Sequence, residues 1–339
     1  MVILAVFVGI ALLILIHEFG HFVVAKLSGI LVEEFGFGFP PRIFAKKIGE
    51  TVYSINLLPF GGFVKMFGED APPASSGQGV NLGRSFSAQP AWRRAAIIAA
   101  GVIMNFVLGW FLLSGIFMVG TPQVVMISEV FPGSPAAQAG ILPQDQVKDF
   151  KTAREVVDFI SGNRGREITL TLQRGAEELK ITATPRLEGE AALGVGIVDA
   201  GVPRHSFFRA FFEGFKSAVL VVVGILVAFL NLFWGLLTQG RIVMDVVGPI
   251  GLFGIATEVG ALGFLYLAQL IALISLNLAV LNVMPFPALD GGRLLFIAIE
   301  KIKGKPLSQN FERAANTAGF ILLLMLMLAV TARDIVRLF

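Results

Sequence analysis

Cysteine is absent, and only three histidines occur in the 339 residues. No disulfide can form and no thiolate can hold a metal, so a transition-metal site would have to be built from histidine and carboxylate. Charge is scarce as well: Asp, Glu, Lys and Arg make up 15% of the chain against 55% hydrophobic residues, and the mean hydropathy is +0.78. A wholly soluble globular protein of that composition would have too little polar surface, which makes this a membrane protein with the lipid bilayer as a partner. The formal net charge is only +3. No Lys/Arg cluster is interleaved with exposed aromatics, which gives no case for nucleic-acid binding; the basic residues set topology instead.

Against that background, one stretch stands out. Val2 to Leu27 reads as a lipid-length helix, yet it holds His17, Glu18 and His21. An ionisable side chain inside an apolar span costs about 2.5–3.5 kcal/mol on insertion scales, so three together point to a functional site. Histidines at i and i+4 share one helix face and can converge on one ion, while Glu18, one residue along, can reach a water bound to it. This is the HExxH spacing. The apolar N-terminus lacks the basic n-region of a signal peptide and runs on through the motif, so it reads as a retained first span.

Ser28 to Pro90 is too polar and too broken by Gly and Pro to cross a membrane. Period-two alternation in Glu34 to Phe39 and Val52 to Leu57 predicts strands, with Gly62-Phe63-Val64-Lys65 ending the set. Such a sheet offers an edge, expected near Tyr53 to Leu57, to which an extended peptide can add. Asp70 to Gln89 reads as a linker. Ala91 to Gly120 is the second span, and Asn105 in its interior is expected to make an interhelical hydrogen bond. Thr121 to about Pro203 has the composition of a small α+β module. Strands are expected at Val124 to Val130, Ile168 to Leu172 and Leu179 to Ala183, with helices at Ser134 to Gly140 and Ala153 to Ser161. Phe264 to Met284 and Asn316 to Ala332 read as the last two spans.

The Lys/Arg bias places the segment between the first two spans and the Lys301-Lys303-Lys305 loop on the cytoplasmic side. The N-terminus and the soluble module then lie outside, with HExxH toward the inner half of the bilayer. A catalytic zinc takes three protein ligands and keeps a fourth position for water. His205 adjoins the outer module, on the wrong side, and the outstanding candidate is Asp290, after the Pro285 and Pro287 break that ends Phe264 to Met284. For Asp290 to meet His17 and His21, that helix must run in the same sense as the first. Ser217 to Leu237 then lies along the interface or forms half of a hairpin, with the interfacial reading favoured by Phe207 to Phe215 at helical spacing before it.

His17-Glu18-Phe19-Gly20-His21, Gly62-Phe63-Val64-Lys65 and Asn282 to Gly291, which fits NxxPxPxLDG, together resemble the site-2 protease family of intramembrane zinc metalloproteases. The likeness is to the bacterial branch that cleaves anti-sigma factors and remnant signal peptides, and it covers essentially the whole chain. It implies a polytopic α-helical membrane protein with a membrane-associated β-loop and an inserted PDZ-like domain, in the inner (cytoplasmic) membrane. It implies Zn2+ as cofactor, His17, His21 and Asp290 as metal ligands, and Glu18 as catalytic acid/base. Gly62, Phe63, Val64, Lys65 and Asn282 become substrate contacts, and the partners are membrane-spanning protein substrates. The division expected is 1–120 for the first two spans with the β-loop, 121–203 for the PDZ-like domain, 204–263 for an interfacial or re-entrant segment, and 264–339 for the last two spans. One PDZ-like domain fits where many relatives carry two, and Gln144 replaces Gly in its GLxPGD-like turn. A catalytically silent adaptor and a metal transporter are the rival readings.

Overall fold

The computed structural model describes residues 2–69, 82–175, 177–189, 191–239, 248–261 and 263–338. Two compact units emerge, one formed by Met1–Gly115 with Phe211–Phe339 and the other by Ile116–Ala210. Of the linker expected over 70–89, residues 70–81 lie outside the described residues, and Leu82–Arg84 form a short 3-10 turn.

In the first unit α1 (Val2–Leu27), α2 (Ala91–Val119), α5 (Phe207–Gln239), α7 (Phe264–Val283) and α9 (Gln309–Leu338) carry stretches long and apolar enough to cross a membrane. Two shorter helices, α6 (Pro249–Ala261) and α8 (Asp290–Lys303), complete the set. Their packing fixes relative directions. Val6 shares a buried cluster with Leu267, a methyl on Gly9 would lie 2.6 Å from Ile271 Cδ1, and further along His17 reaches Asp290 just beyond the end of α7. The helices α1 and α7 therefore run in the same sense, as the meeting of Asp290 with His17 and His21 requires. Between them α2 runs the opposite way, with Gly109 against Leu276 and Val102 near Val280 and Val283.

The segment expected to lie along the interface or to form half of a hairpin is part of α5, which is long and apolar enough to cross a membrane. The Trp110 indole donates to the Phe211 carbonyl at 2.9 Å, the Phe106 and Phe215 rings sit 5.9 Å apart, and Val222 and Leu226 adjoin Val102 and Ile103. Rising numbers in α5 thus meet falling numbers in α2, an antiparallel pairing through the depth of the bundle. The physical reason is composition: from Ser217 to Leu237 no charged residue supplies the polar face that an interfacial helix needs. Near the other end Asp334 of α9 is buried and accepts from Gly251 N at 2.9 Å and Gly248 N at 3.3 Å, capping α6.

Strands β1 (Val32–Ile48) and β2 (Thr51–Met66) pair antiparallel around the Gly49-Glu50 turn, and both bend back on themselves. Residues 34–37 face 62–65 and also 52–55, while 44–48 face 51–55. Tyr53 to Ile55 is consequently paired on both sides, which corrects the expectation of an edge there. The edge falls on Gly62 to Met66. Arg84 and Lys26 bind Glu50 at 2.6–3.0 Å and hold its carboxyl down at about 2, clasping the hairpin tip to the end of α1 and the 3-10 turn.

The second unit is an α+β module with a five-stranded sheet in the order β6-β5-β4-β3-β7. Its strands are β3 (Val124–Val130), β4 (Gln146–Val147), β5 (Ile168–Arg174), β6 (Glu177–Ala183) and β7 (Val195–Ala200). Helix α3 (Pro135–Gln138) is capped by Ser134, whose hydroxyl accepts from Ala137 N at 3.1 Å. Helix α4 (Ala153–Gly162) is capped reciprocally: Thr152 accepts from Glu155 N and Glu155 accepts from Lys151 N. Val156 and Ile160 then enter a core with Val125, Ile127, Leu170 and Leu172.

Candidate metal centre

His17 and His21 occupy successive turns on one face of α1, and Asp290 opens α8 directly after the proline break. The first-turn position of Asp290 suits a carboxylate, since the helix N-terminus carries partial positive charge. Three atoms converge. His17 Nε2 and His21 Nε2 are 3.3 Å apart, and Asp290 Oδ2 lies 3.2 Å from the first and 3.4 Å from the second.

Protein atoms alone do not satisfy this triangle. Asp290 Oδ2 is buried without a hydrogen-bond partner. Nδ1 of His21 sits 2.8 Å from the Ile97 carbonyl oxygen, which can only accept, so Nδ1 carries the proton and Nε2 is a bare lone pair. In the neutral imidazole a lone pair thus faces a carboxylate oxygen at hydrogen-bond distance, an arrangement that a cation between them satisfies. Tetrahedral zinc with ligands at about 2.0–2.1 Å has ligand-to-ligand edges of about 3.3–3.4 Å, and the observed 3.2–3.4 Å edges match one face of that tetrahedron. The donor set of two imidazoles and one carboxylate is the composition of catalytic zinc sites, and it leaves the fourth vertex open. Among the described residues, these three are the group of His, Asp and Glu side chains placed to hold a metal.

The remaining predicted residues divide. Glu18 is partly buried, and a methyl on Gly62 would lie 2.8 Å from its Cγ, so the edge strand's backbone passes beside that carboxylate. Phe63 pairs with Gly36, Val64 packs on the cluster of Ala25, Val32 and Ile97, and Lys65 makes an exposed ion pair with Glu33 at 2.9 Å. Asn282 stands partly exposed in the last turn of α7, outside the converging three. His205 belongs to the Ile116–Ala210 unit, where its backbone N–H donates to Phe117.

Sequence reasoning missed the supporting role of α2. The Asn105 side chain makes the interhelical hydrogen bond expected of it, fully buried with its amide 3.2 Å from His17 Nδ1 on α1, and a second bond joins Ser275 Oγ to the Asn105 main-chain oxygen at 2.7 Å. A methyl on Gly101 would overlap His21 Nε2 and lie 2.8 Å from His17 Cε1, and one on Gly20 would lie 2.5 Å from the Ala100 oxygen. The available signal was Gly101 four residues before a polar Asn105 in an otherwise apolar span. An apolar groove of about 260 Å³ runs between Val102, Phe106, Leu226 and Val283, and a cavity of mixed lining, about 730 Å³, is bounded by Glu69, Arg94, Ala288, Arg293, Glu300 and Asn316; the lining of neither includes His17, His21 or Asp290. Two ion pairs brace the larger cavity, Arg94 with Glu300 and Arg293 with Glu69.

Helices of membrane-crossing length around a largely buried His-His-Asp triangle fit a multi-pass membrane protein with a candidate metal centre. Comparison with known proteins supplies the family: the model of peptidase family M50 matches residues 5–326, and the chain belongs to that family, the site-2 proteases its motifs resemble. A Clostridium perfringens protein provisionally named a zinc metalloprotease is 36% identical over 96% of this chain and 95% of its own length. The regulator of sigma-W protease RasP of Bacillus subtilis is 30% identical, covering 96% of both chains, and the zinc metalloprotease RasP of Geobacillus kaustophilus is 28% identical with the same coverage.

Proposed function

We propose that the chain is an intramembrane zinc metalloprotease that cleaves the transmembrane segments of single-span proteins. The observation that carries this reading is the triangle of His17 Nε2, His21 Nε2 and Asp290 Oδ2, with edges matching zinc and an orphaned carboxylate oxygen at one corner. Zinc held there supplies Lewis-acid polarisation of the scissile carbonyl and makes water acidic enough to lose a proton near neutral pH. Glu18 takes that proton and returns it to the leaving amine, as a general base and then a general acid.

A peptide bond in a membrane helix is already hydrogen-bonded to its own turn, so the substrate must unwind before attack. The edge at Gly62 to Lys65, whose other side carries no strand among the described residues, offers main-chain groups to the unwound segment beside Glu18. Gly62 is suited to this because a side chain there would collide with the catalytic carboxylate. Asn282 is assigned a contact to the substrate carbonyl. The apolar groove by Val102 and Leu226 suits the part of the substrate that stays helical, and the larger cavity beside Ala288, lined by Glu69, Arg94, Arg293 and Glu300, is assigned to the released terminus.

We assign the Ile116–Ala210 module to the outer face of the cytoplasmic membrane, a reading supported by the Lys/Arg bias of the segments on the other side. We assign it a PDZ-like, peptide-binding role, supported by the exposed edge of β7 at the end of its sheet and by α4 packed beside that strand, where Asp199 accepts from Ala153 N at 2.6 Å. Anti-sigma factors and remnant signal peptides are the substrate classes the resemblance suggests. Metal analysis of the purified protein tests the centre: wild type carries about one zinc per chain, while His17→Ala and Asp290→Ala carry none. A zinc-free wild type would return the adaptor reading to the front.

A further inference from the structure

Resting on the protease reading, we propose that Asn105 is a positioning residue for His17: its amide oxygen accepts the His17 Nδ1 proton and so fixes the tautomer that presents Nε2 to the metal.

The argument begins with proton counting. A neutral imidazole has one donor and one acceptor nitrogen. Both Nε2 atoms point into the triangle with Asp290 Oδ2, so both must be bare to bind a cation, and each Nδ1 must then carry the hydrogen. For His21 the acceptor is the Ile97 carbonyl at 2.8 Å. For His17 the group within reach is the Asn105 amide, with Nδ2 at 3.2 Å. Nδ2 is a donor, and set against a protonated Nδ1 it would leave two N–H groups opposed. The same arrangement leaves Asn105 Oδ1 buried without a partner. Amide oxygen and nitrogen are assigned from the surrounding hydrogen bonds, and a half-turn of the amide exchanges them. That one rotation puts the acceptor opposite the His17 proton, gives Oδ1 a partner in exchange for Nδ2 and makes both histidines alike, each locked by an oxygen supplied from α2.

The position is built to hold this contact. Asn105 is fully buried, and Ser275 Oγ pins its main-chain oxygen at 2.7 Å, so the residue's backbone is fixed between α1 and α7. Four residues earlier, Gly101 allows α2 to press against both imidazoles. Partners of this kind orient metal-bound histidine and raise its basicity, and losing one weakens metal binding by about 10–100-fold.

The test measures zinc affinity of the full-length protein in detergent by chelator competition, together with the ligand-field spectrum of the cobalt-substituted protein. Asn105→Leu removes the acceptor and is expected to bind zinc about 10–100-fold more weakly, with altered cobalt bands as His17 loses its orientation. Asn105→Asp keeps an acceptor whichever way it turns and is expected to stay within about threefold of wild type in affinity, by the same reasoning. Ser275→Ala frees the Asn105 main chain but keeps the amide acceptor, and is expected to weaken zinc binding less than Asn105→Leu does. Wild-type affinity with an unchanged spectrum in Asn105→Leu would overturn the assignment. So would equal weakening in Asn105→Leu, Asn105→Asp and Ser275→Ala, since that pattern belongs to packing. A wild type that takes up no zinc or cobalt instead overturns the protease reading on which the assignment rests.

Discussion

Gly101 is the narrowest point of the centre, because any Cβ there enters the space of His21 Nε2. Overpacking a close-packed contact costs about 1–3 kcal/mol. Gly101→Ala is therefore expected to lower zinc affinity by about tenfold while leaving the chain membrane-inserted, as measured by chelator competition; an affinity equal to wild type would mean that α2 gives way freely. Neighbouring residues differ in how far the sequence exposes them. His17, Glu18 and His21 are legible because three ionisable groups at helical spacing have no cheap structural reason to sit in a span. Asp290 is legible because the proline break and the sense of its helix leave it the one acid able to arrive. Asn105 is not, since its target His17 is 88 residues away in sequence and a polar residue in a span has many ordinary partners.

At the scale of elements, local patterning served the soluble module better than the membrane segments. Ser134, Thr152 and Gly140 mark helix ends by capping chemistry that acts within a few residues, and those helices lie where the caps put them. Strand β7, absent from the sequence reading, lacks clear alternation because Gly196 interrupts it and Gly194 directly precedes it. The β-hairpin shows the opposite limit: period two finds its strands, but which strand is the edge depends on how β1 and β2 fold back, and alternation says nothing about that. Segment 217–237 likewise has the apolarity of a span, and its pairing with α2 comes from tertiary contacts. Within the module Asp145 is fully buried, accepting from Arg174 through both oxygens at 2.8 Å and from Leu142 N at 2.9 Å. Burial alone would raise its carboxyl, but the Arg174 and Leu142 bonds outweigh it and hold the group below the usual aspartate range. The stability it contributes is present above about pH 3.9, where an unfolded aspartate is ionised, and is lost as pH falls through its lower folded value. Urea unfolding of the 116–210 unit across pH 2–6 should show that loss in wild type and a flatter profile in Asp145→Asn; stability rising with acid in wild type would contradict the ion-pair account.

For the whole molecule the decisive relation is direction. The helices α1 and α7 must run the same way for residues 17 and 290 to meet, and the contacts of Val6 with Leu267 and Gly9 with Ile271 fix that sense. Since the chain contains no cysteine, a Gly9→Cys, Ile271→Cys pair can be tested against a clean background. The pair is expected to crosslink with a short thiol reagent in membranes, whereas Gly9→Cys with a cysteine replacing Val283, at the opposite end of α7, is not; the reverse pattern would make the helices antiparallel and dismantle the metal centre. The family match over residues 5–326 and the relatives in Bacillus and Geobacillus, aligned over 96% of this chain, take in both the bundle and the inserted module. The central claim is that Glu18 moves protons at a metal it does not hold. Its most direct test compares wild type with Glu18→Gln in one membrane preparation, measuring zinc content and cleavage of a single-span substrate together. The account predicts about one zinc per chain in both proteins, with cleavage reduced at least about 100-fold in the variant. Undiminished proteolysis by Glu18→Gln would contradict it.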